Sequence, residues 1–270
     1  HIRLEYNGPS PDALRGDDEP RVVVAFGPFD FPFHNDAGGW GSSSFSKRGI
    51  AHVCVFHASA DWYQNDDFFP AMRACRAFLG KGVKVTSYGF SMGGYGALLG
   101  ASTLDAERAI SVSPQSSIDP AAVRFERRYA EQWAEMDGWR FKLSDYMGEG
   151  ATQYIVLHDP LHRQDNRHEA RLPHPANYTR CLLYGVGHAG LQTLIEMQIQ
   201  ETLFDVLRGR ATPADLRCRF REKRAVSFRY LRRVGTRLHE RKRPMAKHFL
   251  ELAKTNGFRR LIKKWQPFYE

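Results

Sequence analysis

Six short apolar runs, most of them rich in β-branched residues, set the first limit on what this chain can fold into. They are RVVVAF (21–26), AHVCVFHA (51–58), GVKVTSYGF (82–90), RAISVS (108–113), TQYIVLH (152–158) and RCLLYGVG (180–187). Continuous apolar runs of this length suit strands covered on both faces, as in a parallel sheet. Segments of helical pattern lie between them: DDFFPAMRACRAFLG (66–80), MGGYGALLGAS (92–102), NRHEARL (166–172) and LQTLIEMQIQETLFDVLRG (191–209). Strand and helix in alternation predict an α/β fold with a doubly wound, mostly parallel sheet. Residues 115–150 break the alternation with a polar and aromatic stretch. An insertion of that size between core strands is expected to serve as a cap over a site.

The densest local signal is GFSMGGYGALLG (89–100), which packs glycines around Ser91. Gly89-Phe90-Ser91-Met92-Gly93 reads G-x-S-x-G, between an expected strand and an expected helix. In that setting the serine sits on a sharp strand-to-helix turn, and its flanking glycines remove Cβ atoms that would collide there. Gly94, Gly96 and Ala97 then let the helix approach the sheet closely. Ser91 is thereby raised at the carboxyl edge of the strands, where α/β sheets place their sites.

A serine nucleophile needs a base and an acid, in the chain order serine, acid, histidine. His188, in the Gly-rich stretch after the last expected strand, is the expected base. His57 precedes the serine in the chain, while His158, His162 and His168 crowd the expected acid loop as polar loop residues. Asp159 and Asp165 both follow the strand at 152–158. Asp159, at the strand end before a proline, is preferred as the acid, since a helix N-cap role accounts for Asp165. The oxyanion donors are expected to be the N–H of Met92 and one from the turn FGPFDF. Pro28 has no N–H, so Gly27 or Phe29 supplies the second, with Phe29 preferred. Trp40, Trp62 and Tyr63 fall in loops after strands, and Trp62 and Tyr63 are expected to touch substrate at the mouth of the site. This chemistry requires no metal or organic cofactor.

Charge divides the chain. Residues 208–270 carry 20 Lys/Arg against 5 Asp/Glu, leaving 19 against 25 in residues 1–207. The expected organisation is a domain over 1–207 and a basic helical extension over 208–270. Phe228, Leu231, Val234 and Leu238 share one helical face there; Met245, Phe249 and Leu252, with Ala246, Leu250 and Ala253, share another. Such an extension suits docking on an acidic protein surface or another subunit, or an acidic ligand or membrane surface. No base-reading module is recognisable, so specific nucleic-acid binding is not expected. No apolar run is long enough to span a bilayer, and residues 1–20 lack the layout of a secretory signal. Four cysteines without a C-x-x-C pair, three of them in apolar runs, fit buried thiols and a reducing cytoplasm.

The elbow, with Ser91, Asp159 and His188 in that order, resembles the α/β-hydrolase superfamily of serine-esterase type over roughly residues 20–207. More loosely, GWGSSSFSKRGIAHVCVFHASADWYQN, YGFSMGGYGALL and HDPLHRQDNRHEA look like bacterial hydrolases of glycan assembly or accessory secretion. The resemblance implies a serine hydrolase that cleaves a small-molecule or glycan ester through an acyl-enzyme. An acyltransferase on the same triad, or a non-catalytic glycan- or anion-binding protein on this fold, are the alternatives.

Overall fold

The structure is a computed structural model that describes residues 1–16, 20–31 and 38–269. Seven strands form one sheet: β1 (Ile2–Asn7), β2 (Arg21–Phe26), β3 (His52–His57), β4 (Lys84–Phe90), β5 (Arg108–Val112), β6 (Gln153–His158) and β7 (Tyr178–Leu182). Their order is β1-β3-β2-β4-β5-β6-β7. β3, β2, β4, β5 and β6 pair in parallel, and β1 runs antiparallel along β3. This is the expected mostly parallel α/β architecture. Val22, Val23, Val24, Ala25 and Phe26 are all buried in β2, which pairs with β3 on one side and β4 on the other and carries α4 against it. Burial on that scale stabilises by about 1.5–3 kcal/mol for each large apolar side chain.

Two strands depart from expectation. β1 was not anticipated, since Arg3 and Glu5 interrupt its apolar pattern. An edge strand tolerates them because one face meets solvent. β7 begins and ends earlier than the run at 180–187 suggests, and Leu183 to Gly187 leave the sheet as a turn.

The chain forms two compact units. The first comprises residues 1–157 and 164–180. Besides the sheet it holds α1 (Pro11–Leu14), α2 (Ser42–Ser46), α3 (Phe68–Leu79), α4 (Met92–Gly100), α5 (Ala130–Ala134) and most of α6 (Arg163–Glu169). The stretch 115–150 packs within this unit. Gln64 Oε1 accepts from the N–H groups of Arg140 (2.8 Å) and Phe141 (2.7 Å), and the Trp139 ring stands edge-on to Tyr95 of α4 at 5.0 Å.

The second unit comprises residues 158–163 and 181–270. It holds α7 (Gly190–Glu196), α8 (Gln200–Arg208), α9 (Pro213–Lys223), α10 (Phe228–Glu240), α11 (Ala246–Thr255) and α12 (Arg259–Trp265). The single helix expected over 191–209 is two helices, interrupted at Gln198 with φ 56° so that Met197 and Ile199 both turn into the core. Thr212 and Asp215 form a capping box at the start of α9, and Ser227 caps α10.

The expected boundary at 208 falls inside this second unit. Net charge records what faces solvent, whereas a unit is defined by a shared core. Leu203, Val206 and Leu207 of α8 and Leu216 and Phe220 of α9 are buried on either side of the charge step. In α11 the buried seam is Ala246, Phe249, Leu250 and Ala253, while Met245 is 60% exposed. Cys54, Cys75 and Cys181 are buried, and burial pushes each thiol up to about 12; Cys218 is exposed. Among the described residues no helix is long and apolar enough to cross a membrane.

Candidate active site

Ser91 occupies the single residue between β4 and α4, with φ 56° and ψ −120°. A non-glycine residue held there stores about 1–3 kcal/mol of backbone strain. Its neighbours explain why the backbone goes there. A Cβ on Gly89 would lie 2.0 Å from the Gly93 carbonyl oxygen, and one on Gly93 would lie 2.1 Å from the Phe26 carbonyl oxygen. The start of α4 is thus pressed against the end of β2 at a distance no other residue type permits. Ser91 N–H donates to Val112 O at 2.9 Å, and Ser111 Oγ donates to Gly94 O at 2.9 Å, fastening the turn to β5. The close helix approach expected at Gly96 is present, where a Cβ would stand 2.5 Å from the Tyr63 ring.

The Ser91 hydroxyl donates to Gln115 Oε1 at 3.3 Å, and that oxygen also accepts from Trp62 Nε1 at 3.1 Å. Tyr129 of the inserted stretch has its phenol raised by burial, against the opposing pull of the Arg128 charge and of the Ser91 side chain. Gln115 and Tyr129 both come from the inserted stretch and carry no motif, so the sequence did not single them out. Trp62 and Tyr63 are not at a mouth. Each is 0% exposed, Trp62 holding Gln115 and Tyr63 donating to Gly27 O at 2.8 Å. Their rings fill space beneath the site because apolar burial outweighs presenting them to solvent. Trp40 is half-buried and stacks on Tyr88 at 5.3 Å.

The residues expected to supply the oxyanion donors lie on defined turns. Met92 is the first residue of α4, whose N–H has no acceptor within the helix. In the other turn, Gly27 N–H is bonded to Val55 O at 3.4 Å. The Phe29 ring, 37% exposed, stands edge-on to Tyr129 at 5.7 Å. His57 presents its two ring nitrogens to the carbonyls of Ser59 and Pro28, each at 2.9 Å, so it braces this turn.

A buried ionic cluster stands behind Tyr129. His168 Nε2 donates to Glu126 Oε2 at 2.8 Å, and Arg128 pairs with the same carboxylate at 2.6 Å. His168 Nδ1 accepts from Ser116 N–H at 3.2 Å and lies 3.1 Å from Ser116 Oγ. Burial alone would raise the Glu126 carboxyl, but bonds from His168 and Arg128 overcome it and hold it at about 2. Burial lowers His168, against the pull of Glu126, so the ring is neutral. His168 is therefore a core residue and not a polar loop residue. Asp165 is not an N-cap either: it lies buried within α6, 3.6 Å from Arg128. A charged residue in that helix was unreadable as core because its partner lies far away in the chain.

In the second unit, Asp159 is 0% exposed. Its Oδ1 accepts from Leu161 N–H and Gly185 N–H, both at 2.9 Å, and its Oδ2 from Gly187 N–H at 2.7 Å. One carboxylate therefore organises the turn that leads into His188. Arg233 of α10 donates to Gly185 O at 3.1 Å, and a Cβ on Gly187 would strike the Arg233 guanidinium at 2.0 Å. The basic helices thus pack directly on the turn that bears His188. The half-buried His188 ring lies 5.9 Å from that of His162. Among the described residues no group of three His, Cys, Asp or Glu is arranged to hold a metal.

No protein-family model matches the chain, and no curated protein matches its sequence. Solved structures do resemble it. A capsule O-acetyltransferase of Neisseria meningitidis serogroup A superposes with TM-score 0.51 at 12% identity, over 77% of this chain and 91% of that one. The chain has the α/β-hydrolase fold. Est1E from Butyrivibrio proteoclasticus, with ferulic acid bound, gives 0.47 at 12% identity over 76% and 95%. Thermogutta terrifontis esterase 2 gives 0.46 at 18% identity over 78% and 91%. At these identities the likeness concerns the fold.

Three outcomes follow from this geometry. Ser91→Gly is more stable than Ser91→Ala by about 1 kcal/mol, because glycine alone is unstrained at that φ; urea denaturation of the two variants measures it. Glu126→Gln costs about 3 kcal/mol at neutral pH by leaving Arg128 and His168 without their buried carboxylate. In the parent chain, the lowered His168 removes stability as pH falls below 6.5, its ordinary value, since the unfolded chain takes the proton first. The depressed Glu126 contribution is lost from its ordinary 4.5 down to about 2. Denaturation midpoints across pH show that lower limb flattened in Glu126→Gln.

Proposed function

We propose that this protein is a serine hydrolase of carboxylic esters, with Ser91 as nucleophile, His188 as base and Asp159 as the acid that orients it. The observation that carries the reading is Ser91 itself, a strained non-glycine residue in a G-x-S-x-G turn at the carboxyl end of β4. Strain of this kind persists where the surrounding structure over-determines it, and it marks functional positions. The buried Asp159 carboxylate and the turn it holds supply the acid and the base in the required chain order.

In this reading, Ser91 Oγ bonds to the ester carbonyl carbon while its proton passes to His188. The oxyanion takes N–H bonds from Met92 and Phe29. The C–O bond to the alcohol breaks as His188 returns the proton to the leaving oxygen. Water, deprotonated by His188, then attacks the acyl-enzyme, and Ser91 recovers its proton as the acid departs. Gln115 holds the hydroxyl before substrate arrives. Asp159 keeps the imidazole oriented and stabilises its protonated form.

Acyl transfer is the second reading, with a sugar hydroxyl in place of water; the O-acetyltransferase that shares the fold favours it. The basic helices are assigned to contact with an acidic surface or another subunit.

A fluorophosphonate probe is expected to label the chain once, on Ser91, and Ser91→Ala abolishes both labelling and hydrolysis of p-nitrophenyl acetate. His188→Ala lowers kcat by about 10³–10⁵-fold with little change in KM. A folded parent chain that takes up no probe would sink the enzymatic reading. Acetyl appearing on an added oligosaccharide rather than in solution separates transfer from hydrolysis.

A further inference from the structure

The first unit contains a cavity of about 620 Å³ built largely by the inserted stretch and closed on one side by the end of α6 and the turn after it. Its volume lies within the range of small-molecule sites. Ser91 is not in its lining, but the chain links the two. Ser116, in its wall, follows Gln115, the residue that accepts the Ser91 hydroxyl. Trp133, also in the lining, donates its backbone N–H to the Tyr129 carbonyl at 2.9 Å.

The lining has a definite chemistry. Trp133 and Trp139 are half-buried and supply flat apolar faces. Lys142 and Arg171 are exposed cations on the rim; neither forms an ion pair among the described residues, and the Arg171 guanidinium lies over the Phe125 ring at 5.4 Å. Ser116 and Ser117 add hydroxyls. Asp119 adds a carboxylate, one oxygen of which is tied to the Ala121 N–H at 2.8 Å. Ser116 is held in place from behind by the buried His168–Glu126–Arg128 cluster.

An acyl-chain pocket would be closed and apolar. Here aromatic faces alternate with hydroxyls, an acceptor carboxylate and two cations, in an open cleft. Aromatic faces take the apolar face of a sugar ring, a carboxylate and hydroxyls take its hydroxyls, and a cation takes an acidic substituent. We infer that this cleft, walled by Trp133 and Trp139 and rimmed by Lys142 and Arg171, binds a saccharide unit bearing a carboxylate or phosphate. As the site for the alcohol side of the ester, this assignment rests on the reading of Ser91 above; as a binding site it does not.

The test uses the full chain carrying Ser91→Ala, so that binding is read without turnover. Calorimetric titrations use tetragalacturonate and mannose 6-phosphate as acidic sugars, and maltotetraose, inorganic phosphate and p-coumarate as controls. At least one acidic sugar is expected to bind at least tenfold more tightly than every control, and Lys142→Glu with Arg171→Glu is expected to weaken it at least tenfold. Absence of binding by both acidic sugars, equal binding of any control, or indifference to the double charge reversal overturns the proposal. Failure of fluorophosphonate labelling is a separate result that removes the catalytic reading and leaves the binding measurement standing.

Discussion

The contact between the start of α4 and the end of β2 is the constraint from which the site follows. The Phe26 carbonyl stands where a Cβ of Gly93 would be, and the Gly93 carbonyl where a Cβ of Gly89 would be. With backbone packed on backbone, the one residue left to reverse direction is Ser91, and it does so at positive φ. The resulting strain is maintained by the surrounding packing, since Val22 to Phe26 beneath it and Leu98 and Leu99 on α4 are fully buried. A core that close-packed does not relax to let a single residue leave its conformation.

Around this point the inserted stretch behaves as part of the first unit. Gln64 and Gln115 act as paired brackets: one accepts the N–H groups of Arg140 and Phe141, the other accepts Trp62 and Ser91. Behind them, Glu126 collects His168 and Arg128 in a buried pair whose desolvation is offset by charge-assisted bonds. Such a cluster adds little net stability compared with apolar packing, but removing one member leaves an uncompensated charge. Through His168 it also holds Ser116, which lines the tryptophan-walled cleft.

The second unit solves a different problem with the same device. A single carboxylate, Asp159, accepts three backbone N–H groups and so gives a glycine-rich turn one conformation. Arg233, from the basic helices, covers that turn from outside. The cations of residues 208–270 are thus divided between a surface role and a packing role, and the division is invisible in net charge. His239 of α10 shows the same economy, stacked on Trp265 at 4.6 Å with Nδ1 on the Gly235 carbonyl at 2.7 Å.

Local spacing was enough to establish the α/β alternation, five of the seven strands in nearly their observed positions, and the turn that carries Ser91. Those features rest on short-range physics: β-branched runs, helical periodicity, and glycines within two residues of a serine. Burial of the three cysteines was legible for the same reason. What only the tertiary structure decided depends on partners distant in the chain. Charged Asp165 and polar His168 became core because Arg128 and Glu126, some forty residues away, pair with them. Trp62 and Tyr63 became supports because Gln115 and Gly27 meet their polar ends. The edge strand β1, the division of the chain at 158–163 and 181, and the packing of basic helices on the turn before His188 were equally out of reach. Residue type and spacing describe each segment, but not the surface it will bury, and burial is what converts a side chain into core, bracket or site.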